Sequence, residues 1–556
     1  MPTTADIHDR YTDTQITSYF ESGLWSTESL FDVIGRQAGA WGEKIFVFDS
    51  TTSVTYVELR DRAVALAAGL KREGLNPGDH VAVQLPNWTE FAVVTAALSR
   101  LGAVLVPIMP VYRDEEVRYV LGHAEIKAVI TCEEFKGYGY GEMFTRLQKE
   151  CPDVRTVYTV RASESCQLPR LEDVESSTTD AEKASLEPGA AADDHFAIVY
   201  TSGTTSRPKG CLHTFNTYRA SAAAIAASID YTDKDVQFGP SPISHSTGLV
   251  TSLVLPLLAG ASSHLVEAWE PNDGLERIAK YGCTVSVTAT AFLQMLLAAY
   301  DPKVHDASSM RLWVAAGSPI PGAVVRAVNE TLPNCRVLSL YGRSENLLTT
   351  MCTVADGPER SVVSDGSAVA GSTVRIVDEQ GVEVPRGTEG DITYQGPSHM
   401  LEYYRDPIQT DELFTPSGFS RSGDLGRMDA DGFVRVTGRL KDIVIRGGMN
   451  ISAREIEDLV VELPSVATAA VVGMPDERLG EKVCVFVVAA PGEAPPTLDD
   501  IAAHLTGRKV AKQKFPERIE VRDALPMTAT GKLQKHLLVA ELAQSLAPVK
   551  AASAST

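Results

Sequence analysis

Tyr200-Thr201-Ser202-Gly203-Thr204-Thr205-Ser206-Arg207-Pro208-Lys209-Gly210 decides the reading of this chain. The residues that lead into it, Phe196-Ala197-Ile198-Val199-Tyr200, are apolar and β-prone, so a buried strand is expected there. Five hydroxyl side chains, two glycines and one lysine follow within ten positions. Glycine lets backbone N–H groups close around an anion, hydroxyls add donors and lysine adds charge. The stretch is built to hold a polyphosphate. It is not a Walker A loop, because it lacks the Gly-Lys-Ser/Thr ending. A solvated Ser/Thr turn is the ordinary explanation for such a cluster, and the rest of the chain decides between the two.

Four further segments do so. Tyr341-Gly342-Arg343-Ser344-Glu345 follows a short apolar run, and Ser422-Gly423-Asp424-Leu425-Gly426 sets a carboxylate between two glycines. Gly438-Arg439-Leu440-Lys441-Asp442-Ile443-Val444-Ile445-Arg446-Gly447-Gly448 leads to an acidic helix, Ser452-Ala453-Arg454-Glu455-Ile456-Glu457. Pro526-Met527-Thr528-Ala529-Thr530-Gly531-Lys532 lies near the C-terminus. Together and in this order they resemble the adenylate-forming superfamily of acyl-CoA synthetases, nonribosomal adenylation domains and luciferases. The resemblance runs from about residue 56 to about residue 538.

It implies a two-step reaction. A carboxylate attacks the α-phosphate of ATP to give an acyl-adenylate and pyrophosphate. A thiol then takes the acyl group and AMP leaves. Such chemistry needs fixed cations and donors rather than covalent catalysis. The resemblance assigns Thr201, Ser202, Gly203, Thr204, Thr205 and Lys209 to the β- and γ-phosphates. Ser206 stands where the family has glycine or alanine. Gly317, Ser318 and Pro319 match the adenine-side loop. Tyr341 stacks near adenine beside Gly342, and Ser344 keeps the hydroxyl of the family's threonine; Arg343 receives no role. Glu345 is the expected Mg²⁺ ligand, one carboxylate with phosphate oxygens and water being a usual arrangement for this ion. Asp424 accepts the ribose hydroxyls and Arg439 contacts ribose or phosphate. Lys532 carries the adenylation step, its flexible stem delivering a point charge to the reacting oxygens. Lys441 is the pivot of a hinge, and Gly447 and Gly448 leave room for the phosphopantetheine arm of CoA.

His245, in Ser241-Pro242-Ile243-Ser244-His245-Ser246-Thr247-Gly248, matches the gate between ATP and the acyl pocket. It belongs with Lys532 and Glu345 in the catalytic set as a pocket residue, not a base, since a carboxylic acid is already ionised at neutral pH. The acyl pocket is expected from His245, Gly248, Leu249, Ala289 and Leu340. No aspartate stands by His245 to pair with an amino group, which argues against an α-amino acid. The stretch 240–248 and Trp269-Glu270-Pro271 resemble cyclohexanecarboxylate and medium-chain acyl-CoA ligases. A medium-chain, alicyclic or aromatic acid is therefore the expected substrate, with ATP, Mg²⁺ and coenzyme A as cofactors. An acyl-AMP ligase that loads a separate carrier protein is the alternative. A non-catalytic regulator on the same fold is disfavoured by Lys209, Glu345, Asp424, Arg439 and Lys532, while a luciferase-like oxygenase side activity stays open. Lys509, Lys512 and Lys514 could meet the CoA 3′-phosphate or form a solvated face.

Bulk properties agree. The 556 residues allow several packed layers and more than one domain. A net charge of −21 argues against a nucleic-acid or anionic-membrane surface. Eight scattered cysteines without a Cys-x-x-Cys pair indicate neither zinc nor a disulfide framework and fit a reducing, cytoplasmic setting. Residues 1–25 do not read as a signal peptide. The apolar stretch 249–266 carries Pro256, Gly260 and His264, so it reads as a buried helix and strand rather than a membrane span. Oligomerisation is possible.

Strands expected at 80–84, 103–107, 128–131, 263–267 and 284–288 alternate with helices such as 90–101, which indicates an α/β protein. The expected architecture is a large multi-layered N-terminal domain, 1–438, with two α/β subdomains and a β-rich subdomain near 366–394. A hinge at 439–442 leads to a small mobile α+β domain, 443–545, with strands near 467–472 and 482–489 and a helix near 499–505. A polar surface connection is expected at 161–194 and a disordered tail at 546–556.

Overall fold

The computed structural model describes residues 5–201, 208–317, 320–332, 334–447, 449–476, 478–528 and 533–546. The expected tail, except for residue 546, lies outside them, and Leu546 ends a helix, Lys535–Leu546.

The strand His80–Gln84 is covered on both faces and pairs in parallel with Val104–Pro107 on one side and Ala128–Cys132 on the other. Both faces of a parallel sheet must be covered, which is why these strands read as continuous apolar runs. They form a seven-stranded sheet in the order Glu402–Tyr403, Gly210–Thr214, His195–Tyr200, Val104–Pro107, His80–Gln84, Ala128–Cys132, Thr156–Val160. A nine-stranded sheet runs Ser367–Ala368, Thr350–Met351, Arg336–Tyr341, Leu312–Ala316, Val285–Ala289, Val236–Gly239, Ser262–Leu265, Ile45–Phe48, Ser53–Thr55.

Buried helices fill the core. Tyr56–Arg72 packs on Leu30–Trp41 and Thr89–Leu101, while Leu255–Ala259 packs on Leu30–Trp41 and Phe215–Ser228. Local signals set their ends. Thr55 and Glu58 close a capping box before Tyr56, and Gly102 terminates Thr89–Leu101 at φ +82°. The stretch 249–266 is the expected helix and strand, and no described helix is long and apolar enough to cross a membrane.

Two parts carry structure that the sequence reading does not specify. The connection 161–194 holds short helices, Leu171–Ser176 and Asp180–Ala184, and buries Leu171 and Val174. Gly69 makes room for them: a Cβ there would lie 2.7 Å from Val174. The polar N-terminus also folds. Tyr11 and Trp25 meet edge-on at 4.9 Å, Tyr11 donates to the His399 carbonyl (2.7 Å) and Trp25 to the Pro397 carbonyl (3.0 Å). Sparse aromatics in and around two short helices, Ile7–Arg10 and Asp13–Glu21, carry no periodicity, so the sequence pattern did not announce this arm.

The chain divides into two compact units, Met1–Val374 with Tyr394–Ser420, and Arg375–Thr393 with Arg421–Thr556. The second has an antiparallel pair, Ser420–Met428 with Val434–Arg439, and a five-stranded sheet. In that sheet Val471, Val483, Val485 and Val487 point to a core shared with Ile456, Val460, Ile501 and Leu505. Ala470, Val472, Cys484 and Phe486 pack on the opposite face with Leu538 and Leu542. The two-residue period of the strands therefore separates two helical layers.

Arg161 clamps elements of both large sheets within the first unit. Its guanidinium meets Asp49 (2.5 Å), Glu90 (2.7 Å) and the Thr51 and Thr52 hydroxyls (2.8 Å each), and lies 4.4 Å over the Trp88 ring. Burial alone would push the Asp49 carboxyl up. Arg161 and the amides of Thr51, Thr52 and Thr89 outweigh it and hold the group at about 2. Arg161→Met strands this buried carboxylate and is expected to cost about 3 kcal/mol, read as a lower denaturant midpoint. A depressed carboxyl stabilises fully above its unfolded pKa and loses that contribution as pH falls from about 4 to about 2. The Arg161→Met variant should lose that part of the acid slope.

Candidate functional site

The strands His195–Tyr200 and Gly210–Thr214 pair antiparallel, with Tyr200 opposite Gly210. The quoted stretch is therefore the connection of a hairpin whose stems are buried. Residues 202–207 lie outside the described residues, and with them the calls at Ser202, Gly203, Thr204 and Thr205. At the stem, the Thr201 amide donates to the Lys209 carbonyl (2.9 Å) and the Tyr404 amide to the Gly210 carbonyl (2.7 Å). The Tyr200 hydroxyl bonds His123 Nδ1 (2.7 Å). Gly210 is needed because a Cβ would lie 3.2 Å from the Tyr200 ring and 2.7 Å from Ile198.

Lys209 is held by neutral groups. Its ammonium bonds the Gln409 side-chain oxygen and stands 4.7 Å from the centre of the Tyr403 ring. No carboxylate among the described residues pairs with it. The Tyr403 phenol donates to Glu345 Oε1 (2.7 Å). Burial first, and the Glu345 charge second, drive the Tyr403 pKa far up, so the phenol is a fixed donor. The structure thus brings Lys209 and Glu345 to different atoms of one side chain that the motifs did not name. The available signal was an aromatic pair, Tyr403-Tyr404, before an Asp406-capped, proline-started helix, Pro407–Leu413.

Glu345 is also fixed through the backbone. Its carbonyl accepts from the Met400 amide (2.8 Å), and the preceding Ser344 carbonyl accepts from His213 Nε2 (2.8 Å). His213 is fully buried, and this desolvation lowers its pKa to about 4 against the opposing pull of Ser344 and Glu345. It is a neutral donor in an otherwise apolar strand. Gly342 is required by packing: a Cβ would sit 2.1 Å from the Leu347 carbonyl oxygen. Among the described residues no group of three or more His, Cys, Asp or Glu forms a metal cage. Glu345 alone fits an ion held mainly by phosphates and water, as Mg²⁺ commonly is.

The remaining first-unit calls gather at the carboxyl ends of neighbouring parallel strands, where open α/β sheets bind ligands. Val285–Ala289 pairs with Leu312–Ala316, which pairs with Arg336–Tyr341, so Ala289, Gly317, Leu340, Tyr341 and Gly342 share one edge. Gly317 takes φ +74°, and Ser318 and Pro319 lie outside the described residues. The adjacent strand Val236–Gly239 leads to His245, which caps Ser246–Leu249 by accepting from the Thr247 amide (3.2 Å). A π-helical turn, Val250–Val254, follows directly, a feature frequent at functional sites. Gly248 admits the close approach of this helix to its own loop, since a Cβ would lie 2.1 Å from the Pro242 carbonyl oxygen. Leu249 is fully buried in the main core, while Ala289 and Leu340 are each 9% exposed. Asn87 braces the loop from outside the motif. It donates to the Ser241 carbonyl (2.8 Å) and accepts from the Ile243 amide (2.9 Å).

In the second unit Asp424 faces Arg439 across paired strands, and Arg439 Nε donates to Asp424 Oδ1 (3.0 Å). The Asp424 amide donates to Ser422 Oγ and the Gly423 amide to Asp391. Gly423 adopts φ +69° with nothing near its missing Cβ, so backbone conformation selects it. Lys441 lies in a 3₁₀ turn, Leu440–Asp442. Lys535 bonds Glu457 (2.7 Å) and approaches Asp442 (4.0 Å). Gly447 turns the chain at φ +56° and donates to the Leu479 carbonyl. Gly448 and Lys532 lie outside the described residues. Lys514 is engaged by both Glu455 oxygens at 2.7 Å.

Comparison with known proteins identifies the family. The profile of AMP-binding enzymes matches residues 34–404 and that of the AMP-binding enzyme C-terminal domain matches 455–532. The medium-chain fatty-acid–CoA ligase of Escherichia coli is 34% identical over 532 residues, 95% of this chain and 93% of the relative. A salicylyl-CoA synthase / salicylate adenylyltransferase of Streptomyces is 31% identical over 527 residues, covering 94% and 95%. Among solved structures, ATP-bound MatB of Rhodopseudomonas palustris superposes with a TM-score of 0.82 at 28% identity, covering 92% of this chain and 98% of that one.

His213 gives a pH test of the Glu345 support. Between about pH 6.5 and 4 the unfolded chain binds a proton that the folded chain excludes at this residue, so stability falls with falling pH at roughly 1.4 kcal/mol per unit. His213→Gln keeps a side-chain N–H donor but cannot titrate. Denaturant midpoints between pH 6.5 and 4.5 should show a slope shallower by about that amount. His264 and His399, which burial lowers to about 4 and about 3, contribute to the residual slope, as do His80 and His123, which burial also lowers.

Proposed function

The chain belongs to the AMP-binding enzyme family, and we propose that it joins a carboxylic acid to coenzyme A at the expense of ATP. The acid's oxygen attacks the α-phosphate, the α–β phosphoanhydride bond breaks and pyrophosphate leaves. The CoA sulfur then attacks the acyl carbon, AMP leaves with the bond electrons and the thiol proton passes to solvent. The observation that carries this reading is the joint placement of Lys209 and Glu345 on Tyr403 at the stem of the hydroxyl-rich hairpin.

In this reading Thr201, Ser202, Gly203, Thr204, Thr205 and Lys209 hold the β- and γ-phosphates. Gly317, Ser318, Pro319, Tyr341, Gly342 and Ser344 form the adenine side. Asp424 takes the ribose hydroxyls with Arg439 beside it; their present pairing keeps both side chains oriented until the nucleotide arrives. Glu345 would hold Mg²⁺, which neutralises phosphate charge. Lys532 supplies the adenylation cation, Lys441 within a 439–442 hinge allows the reorientation between steps, and Gly447 and Gly448 pass the pantetheine arm. His245, Gly248, Leu249, Ala289 and Leu340 line the acyl pocket. The apolar character of that set supports a medium-chain, alicyclic or aromatic acid. The absence of a described helix fit to span a membrane is compatible with a cytoplasmic enzyme.

The test is pyrophosphate release from ATP and Mg²⁺ across a panel of free acids, with and without CoA. Apolar acids should support release, and CoA should raise turnover. Lys532→Ala should lower the adenylation rate by about 10²–10³, the usual weight of one preorganised transition-state donor. Acid-dependent release that CoA leaves unchanged, with transfer to a pantetheinylated carrier instead, would assign the thiol to a carrier protein. No release with any acid would overturn the ligase reading.

A further inference from the structure

The motifs account for Lys209 and Glu345 but not for what sets the distance between them. The segment from Met400 to Thr410 touches both. Leu401 and Tyr404 donate backbone amides to the Leu212 and Gly210 carbonyls on the stem that follows Lys209. Met400 donates its amide to the Glu345 carbonyl (2.8 Å). The Tyr403 amide is bonded to Thr410 Oγ1 (2.9 Å), and Thr410 Oγ1 in turn donates to the Asp406 carbonyl (2.8 Å). Cys211 lies opposite Tyr403 in strand pairing and packs with it and Met400 in a small apolar cluster apart from the main core. The Tyr403 backbone is thus fixed from two sides and its ring is bedded in that cluster, 5% exposed.

We propose that Tyr403 is the positioning residue that couples the phosphate-binding lysine to the carboxylate at Glu345. It does so through two chemically separate contacts: its ring face holds the Lys209 ammonium at 4.7 Å, and its hydroxyl holds Glu345 Oε1 at 2.7 Å. A cation on an aromatic face keeps its full charge, whereas a carboxylate partner would cancel it before the polyphosphate arrives. The hydroxyl fixes which way one carboxylate oxygen faces without adding charge. The two roles belong to different atoms, so they can be removed one at a time. The inference rests on the ATP-ligase reading and specifies how its phosphate site is assembled.

Tyr403→Phe removes the hydroxyl and keeps the ring; Tyr403→Leu removes both. Each folded variant, checked by its thermal midpoint, is titrated with ATP in EDTA and again with Mg²⁺, and with Mn²⁺ as a spectroscopic stand-in whose binding is followed by electron paramagnetic resonance. The readout is the ratio of the metal-free to the metal-bound dissociation constant. For Tyr403→Phe the ratio should fall about tenfold, the weight of one hydrogen bond to a charged group, while metal-free ATP affinity stays within about twofold. Tyr403→Leu should lose the ratio and also weaken metal-free ATP binding by about fivefold, as expected for a lost cation–π contact. An unchanged ratio in Tyr403→Phe, or equal loss of metal-free affinity in both variants, would overturn the proposal. A wild-type chain that binds no ATP under either condition would instead overturn the ligase reading beneath it.

Discussion

Charge must be held in place without being cancelled if a protein is to grip a polyphosphate, and this requirement shapes the first unit around Lys209. An ammonium near a carboxylate is well positioned but electrostatically spent, while one left in water is neither positioned nor concentrated in effect. Here the ammonium rests on a π face and an amide oxygen. Glu345 is held by the hydroxyl of the same side chain. His213, neutral and buried, then fixes the backbone leading into Glu345. None of these supporting groups adds net charge.

The supporting groups are the ones that sequence alone left dark. Lys209, Glu345, Asp424 and Arg439 stand out as candidates because each sits in a short, glycine-rich or hydroxyl-rich setting whose chemistry is unusual over ten residues. Tyr403, His213 and Asn87 sit in ordinary surroundings. An aromatic in a two-residue strand, a histidine in an apolar strand and an asparagine before a helix each have a structural explanation at the level of sequence. Their roles appear only when residues far apart in the chain meet, as Tyr403 meets Glu345 and Asn87 meets Ser241. The glycines divide similarly. Gly423 could be read from its neighbours as a turn residue, but Gly248 and Gly342 are demanded by tertiary approach to Pro242 and Leu347.

At the level of the fold, the alternation of strands and helices was legible because parallel strands buried on both faces must be apolar throughout. Hence 80–84 and 128–131 could be located within a residue of Ala128–Cys132 and at the bounds of His80–Gln84. Grouping was harder to read. Antiparallel alternation near 366–394 announces strands but not their partners. In the structure Arg375–Thr393 packs with the C-terminal part of the chain. The N-terminal arm was silent for a related reason, since its stability comes from Tyr11 and Trp25 reaching carbonyls almost 400 residues away in sequence.

Asp424 and Arg439 show the same design solved differently. Here opposite charges do pair, but across an antiparallel register that fixes both backbones, and Arg439 remains 43% exposed at its side chain while Asp424 is nearly covered. An exposed cation paired with a buried anion is weakly held from its own side, because solvent screens the arginine end and competes for its donors. A group that offers hydroxyl donors to Asp424 can therefore replace the Arg439 Nε bond without leaving a buried charge alone. The first unit keeps the Lys209 ammonium apart from carboxylates among the described residues. The second keeps its anion paired through an exchangeable bond. Both arrangements hold the polar group ready while limiting what must be broken on binding, which is the physical content of a preorganised site.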